Sequence, residues 1–172
     1  MKKEYQEILD KFKNIYPVPV EEIAEALGYS ITRFEPNNLI TNSVSGTVNY
    51  KDKKILINGL EPDYRQRFTI AHEIAHILNG DDKDGEIEID YRENINGSNK
   101  NIKEKLANQL AAEILMPEDE FIKKFDEIKA TTKLETVVLV NLSYYFKVSQ
   151  EGISIRIKKL NLTVWLQKEK NY

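Results

Sequence analysis

Both histidines of the chain fall in one short stretch, His72-Glu73-Ile74-Ala75-His76, with a glutamate directly after the first. That stretch constrains the local fold strongly. At about 100° per residue, a helix sets positions i and i+4 nearly above one another. Both imidazoles can then point at one metal ion, and Glu73 stands beside them, close enough to work on a metal-bound water. The pattern points to zinc hydrolase chemistry on a helix. The bland alternative is a surface helix that happens to carry two histidines.

Composition narrows the setting. The 172 residues, 41% apolar and 31% charged, suit one domain, or one domain with a small appendage, that buries a real core. Met1-Lys2-Lys3-Glu4-Tyr5 runs straight into an amphipathic pattern without the apolar region of a signal peptide. No apolar run approaches bilayer length. Cysteine is absent, so histidine and carboxylates are the only strong zinc ligands left. These features lead us to expect a cytoplasmic protein with no membrane contact. The net charge of −3 argues against a general polyanion binder.

Periodicity predicts helices over Glu4 to Lys13 and Val20 to Leu27, the second stopped by Gly28. Ile31 to Phe34 alternates like a strand, and Ser43 to Asn49 with Lys54 to Asn58 reads as a hairpin, together a small antiparallel sheet. Asp63 to Asn79 is the motif helix, with Phe68, Ala71, Ile74, Ala75 and Leu78 on an apolar face and Thr69, His72, Glu73 and His76 opposite. Asp81 to Lys100, rich in acids, Asn and Gly, reads as a solvated loop and lacks the ligand spacing of an EF-hand. Further helices are expected over Ile102 to Leu115, Glu118 to Ile128, Leu134 to Phe146 and Ser149 to Leu160.

A catalytic zinc takes three protein ligands and keeps one position open. With no third histidine, a carboxylate must complete the set. Glu104 and Glu113 fall on opposite sides of one helical wheel, so only one of them can face the metal. Glu104 shares its face with Asn108 and Ala111 and is flanked by Ala107. Small residues there let two helices approach closely, and Asn108 could orient a metal-bound imidazole. Glu113 lies on a more solvated side. Asp82 stays open as a metzincin-like third ligand, with Asn79 in αL turning the chain.

The pairing of His72-Glu73-Ile74-Ala75-His76 with Glu104-Lys105-Leu106-Ala107-Asn108 and the following Gln109 to Pro117 resembles the ImmA/IrrE family of metallo-endopeptidases. Arg67-Phe68-Thr69-Ile70-Ala71 and Tyr145-Phe146-Lys147-Val148-Ser149 are similar to that family too, so the resemblance runs from about Val20 to Leu160. It implies a Zn2+ cofactor held by His72, His76 and Glu104, with Glu73 as general base. It also implies an α+β fold: a zincin-like minimal metallopeptidase with a small antiparallel sheet, an HExxH helix and a mainly helical C-terminal part. Residues 1–117 would form the core with the N-terminal helices. Residues 118–172 would form a helix-turn-helix-like subdomain packed on it. The implied partner is a helix-turn-helix repressor, cleaved to relieve repression of a mobile element or stress genes, and no added sensor domain is expected.

Three rival readings accompany this one. Leu134 to Leu160 has the outline of a DNA-binding helix-turn-helix, with Arg156, Lys158 and Lys159 on its second helix. Burial of Ile153, Ile155 and Ile157, and Glu151 near the helix start, speak against direct nucleic-acid binding. A repressor-binding scaffold with a structural zinc would have no use for Glu73. A toxin-like protease of a toxin–antitoxin pair would differ only in its target. For the protease, the exposed edge of the Ser43–Asn58 hairpin is the expected place for an added substrate strand.

Overall fold

These patterns become seven helices and four strands in the computed structural model of the protein, which describes residues 3–36, 44–80, 87–91 and 98–162. In chain order they are α1 (Lys3–Lys11), α2 (Val20–Ala26), β1 (Ser30–Phe34), β2 (Val44–Asn49), β3 (Lys54–Asn58), α3 (Asp63–Asn79), β4 (Ile87–Tyr91), α4 (Ser98–Leu115), α5 (Glu118–Thr131), α6 (Glu135–Phe146) and α7 (Gln150–Lys159). The class is α+β. Among the described residues no helix is long and apolar enough to cross a membrane.

The strands form one sheet in the order β1-β3-β2-β4. It is mixed rather than purely antiparallel. The β2–β3 hairpin turns the chain back so that β3 enters the gap between β1 and β2, and β3 therefore runs parallel to β1, Ile31 opposite Ile55. β4 lies within the stretch expected to be a loop. Ile87, Ile89 and Tyr91 alternate with Glu88 and Asp90, a period of two masked by the acids and glycines around it. It pairs antiparallel with the outer side of β2, Ile89 opposite Thr47. Both hairpin strands are consequently interior, so the hairpin offers no open edge for substrate. Among the described strands the edges are β1 and β4.

α3 lies across β2 and β3 and also packs on α2 and α4. From Thr69 to Leu78 it is buried all round, because α4 covers the side that the wheel marks as polar. Phe68 departs from the expected apolar face. It is 36% exposed, directly before the buried stretch. Gly80 ends the helix in the left-handed region at φ 70°, its N–H donating to carbonyls of the last turn. Asn79 remains the last helical residue, so it does not make the turn that a metzincin-like site would ask of it.

The C-terminal helices share this core. Phe121, Phe125, Leu142, Phe146, Ile153 and Ile157 belong to the same buried cluster as Ile55, Ile70 and Ile74. Phe121 stacks on Phe146 with ring centroids 5.4 Å apart. Ser149 caps α7 by accepting the Gly152 N–H at 3.1 Å. Ile155, expected to be buried, is 59% exposed. Ile153 and Ile157 share one face of α7, and a residue midway between them in sequence points away from it.

A shared cluster makes a direct prediction. Phe121→Ala should lower the unfolding free energy by about 3–5 kcal/mol, and urea denaturation should still show a single transition. A separate early transition confined to helical signal would instead mark α5 to α7 as an independent unit.

Candidate metal centre

The helical spacing of His72 and His76 brings their rings edge to face, with centroids 4.6 Å apart and Nε2 atoms 3.0 Å apart. Glu104 reaches them from α4. Its Oε2 lies 3.2 Å from His72 Nε2 and its Oε1 3.7 Å from His76 Nε2. All three side chains are buried. Imidazole lone pairs facing one another and a carboxylate need a cation or a proton between them. Tetrahedral zinc with bonds of ~2.0–2.1 Å sets its ligand atoms roughly 3.3 Å apart, close to the separations found. Among the described residues, His72, His76 and Glu104 form the group able to hold a metal ion.

Burial alone would raise the pKa of Glu104. Hydrogen bonding to His72 and His76, and their charges, outweigh it and hold the carboxyl well below the usual carboxylate range. An ionised carboxylate is the form that ligates metal.

The other candidates are placed as follows. Glu113 accepts from Gln109 Nε2 at 3.1 Å and pairs with Lys159 Nζ at 3.5 Å, on the solvated side of α4. Asp82 lies outside the described residues. Asn108 is half-buried one turn beyond Glu104, and the described hydrogen bonds do not join it to either imidazole. It lines a cavity instead. Glu73 is buried within α3.

Gly46 shapes the surroundings of Glu73, and the motif reading passed over it. A Cβ there would overlap the Thr69 Cγ2 methyl, and would stand 3.1 Å from the Leu56 carbonyl oxygen and 3.3 Å from Glu73 Oε1. The absent side chain lets β2 run directly over the middle of the motif helix, at Thr69 and Glu73. A lone glycine inside a strand pattern signals such an approach, so this feature was readable from sequence. Beside it, Ser45 Oγ donates to buried Glu61 at 3.0 Å.

One helical turn before the histidines, a cavity of about 560 Å³ opens between α3, α4 and α7. Its walls include Ser45, Phe68, Thr69, Asn108, Met116 and Arg156. Each of the first four is within one helical turn of a metal-site residue or adjacent to Gly46 along the chain. The volume is in the range of pockets that enclose small ligands or side chains. Nothing in the sequence pattern marks it, since its walls come from distant segments.

The profile of a peptidase family, described as the IrrE N-terminal-like domain, matches residues 24–158. The chain belongs to that family. The matched segment carries both paired motifs and every cavity-lining residue but Lys159. A solved Mycobacterium tuberculosis transcriptional regulator shares the fold, with a TM-score of 0.62 at 14% sequence identity. The match covers 91% of this chain and 47% of that one, so this chain spans about half the length of that protein. No curated protein sequence gives a significant match.

Two predictions follow from the geometry. Metal analysis after zinc loading should find the ion retained by Glu113→Ala but lost from His72→Ala, His76→Ala and Glu104→Ala. Retention by Glu104→Ala with loss from Asp82→Ala would move the third ligand to Asp82. Separately, Gly46→Ala should lower stability by about 1–3 kcal/mol through overpacking, and Thr69→Ser, which removes the clashing methyl, should restore much of it.

Proposed function

We propose that the chain is a zinc-dependent endopeptidase in which His72, His76 and Glu104 hold the ion and Glu73 is the general base. The observation behind this reading is that Glu104 converges on the two motif histidines while Glu73, between them in sequence, is buried beside Gly46. Membership of a peptidase family supports it. When bound, zinc would acidify a water and polarise the scissile carbonyl.

The protein's own groups do the remaining work. Glu73 takes a proton from the attacking water on its carboxylate and returns it to the nitrogen of the leaving amine. Burial keeps bulk water from competing for that carboxylate, and Gly46 leaves room for it beside β2. Glu104, ionised, balances part of the ion's charge. Of the two sheet edges, β4 is the one next to β2, and it is the place for an extended substrate strand.

The substrate we favour is a helix-turn-helix repressor encountered in the cytoplasm and cut once, in a linker or a locally unfolding element. The resemblance of the paired motifs carries this choice. Direct DNA reading by α7 is disfavoured, because Arg156 on that helix is buried and Ile153 and Ile157 face the core.

Co-expression with a helix-turn-helix repressor, taken from a neighbouring gene where one is found, tests the reading. Glu73→Gln should keep its zinc and its fold yet reduce cleavage by about 10²–10⁴-fold, because an amide cannot accept the water's proton. Undiminished proteolysis by this variant would sink the mechanism. An intact repressor together with sequence-selective duplex binding by the chain would sink the substrate choice.

A further inference from the structure

The cavity beside the metal centre has an apolar mouth and a cationic wall. Tyr64, Phe68 and Ile155, large apolar side chains with substantial exposure, lie along it. An apolar rim of this kind suits a polypeptide laid across the opening. Arg156 enters the wall from α7 and is 3% exposed, and its Nε is buried with no hydrogen-bond acceptor.

Among the described residues no carboxylate is in ion-pair contact with Arg156. Glu113, which acts on it only from a distance, is engaged by Lys159 and Gln109, and Glu118 also acts only from a distance. Burial lowers the guanidinium pKa and those two distant carboxylates raise it, but a guanidinium keeps its proton throughout the range in which proteins fold. A buried cation lacking a close acceptor is costly, and a planar carboxylate meets its fork of donors with two parallel bonds. The first turn of α7, where Ser149 and Gly152 also line the cavity, adds the positive end of a helix dipole. Lys159 and Arg65 line it as well, against one acid, the exposed Glu151.

We propose that this cavity is a side-chain subsite of the peptidase and that it accepts an aspartate or glutamate of the substrate close to the scissile bond, with Arg156 as the specificity-determining residue. This rests on the endopeptidase reading above. It adds a substrate class that the metal motif does not contain: a polypeptide with an acidic residue within a few positions of the cut, flanked by apolar side chains that cover the rim. No bond is made or broken at this subsite. Arg156 holds the substrate, and the chemistry stays at Glu73 and the metal.

The test is digestion of a randomised peptide library by the zinc-loaded protein, with cleavage sites read by mass spectrometry. Asp and Glu should be enriched over Asn and Gln by about tenfold or more at one position near the cut, as a charge-assisted contact implies. Folded Arg156→Met should still cleave but lose that enrichment, and Arg156→Lys, which keeps the charge without the fork, should retain part of it. No acidic enrichment with the wild type, or enrichment unchanged in Arg156→Met, overturns the proposal. Should Arg156→Met fail to fold, Ile155→Glu takes its place. A carboxylate at the exposed rim should depress the acid preference, and an unchanged preference overturns the assignment. If the wild type cleaves no library peptide, the subsite is read by binding, and the endopeptidase reading is judged by the repressor co-expression above. Retention of the same library on immobilised Glu73→Gln protein should favour acidic peptides, and adding Arg156→Met should remove the bias. Retention without that bias overturns the subsite.

Discussion

Four ionisable side chains buried where two helices meet are the constraint to which the rest of the protein adjusts. His72, Glu73, His76 and Glu104 are each 3% exposed or less. Groups of this kind are tolerated in an interior only when they satisfy one another or a metal. The contact therefore has to be close. Ala107 and Ala111, on the Glu104 side of α4 and fully buried, keep side-chain bulk low around it. Larger residues there would hold the helices apart and leave Glu104 short of the imidazoles. The sheet meets the same demand from the other side, where Gly46 lets β2 close over Thr69 and Glu73.

How much was legible depended on the range of the interaction. The motif helix follows from spacing, which is local; the wheel set Glu104 and Glu113 on opposite sides, and the small residues beside Glu104 together with the family resemblance chose between them. The parallel pairing of β1 with β3 does not follow from spacing, because strand order is decided by which gap the hairpin fills. β4 carried its own alternation at Ile87, Ile89 and Tyr91, but the polarity of its neighbours in sequence outweighed it. Phe68 and Ile155 were assigned to the core on apolar character, yet both stand at the cavity, where an exposed apolar group has a use. Arg156 departs in the opposite direction. As a basic residue on a second helix it carried the DNA-binding alternative, and tertiary packing buries it.

The C-terminal helices show how little an outline says about function. α6, a tight turn through Lys147 and α7 trace a helix-turn-helix, yet the face that would read bases is spent on Ile153 and Ile157 packing into the common core. In this protein α7 is a wall. It completes a cavity that α3 and α4 alone would leave open, and so joins the last helix of the fold to the first residues of the metal motif.

The three candidate metal ligands also differ in what brings them together. His72 and His76 are paired by one turn of helix, so any fragment that is helical there already presents two nitrogens side by side. Glu104 arrives only when α4 docks, after the chain has passed through β4 and the segments around it. A divalent ion would accordingly meet a weak bidentate chelate early in folding and a tight tridentate one at the end. The gap between those two affinities would be the work that a bound metal contributes to holding α4 in place, and its withdrawal would loosen the α3–α4 seam before it disturbs the sheet.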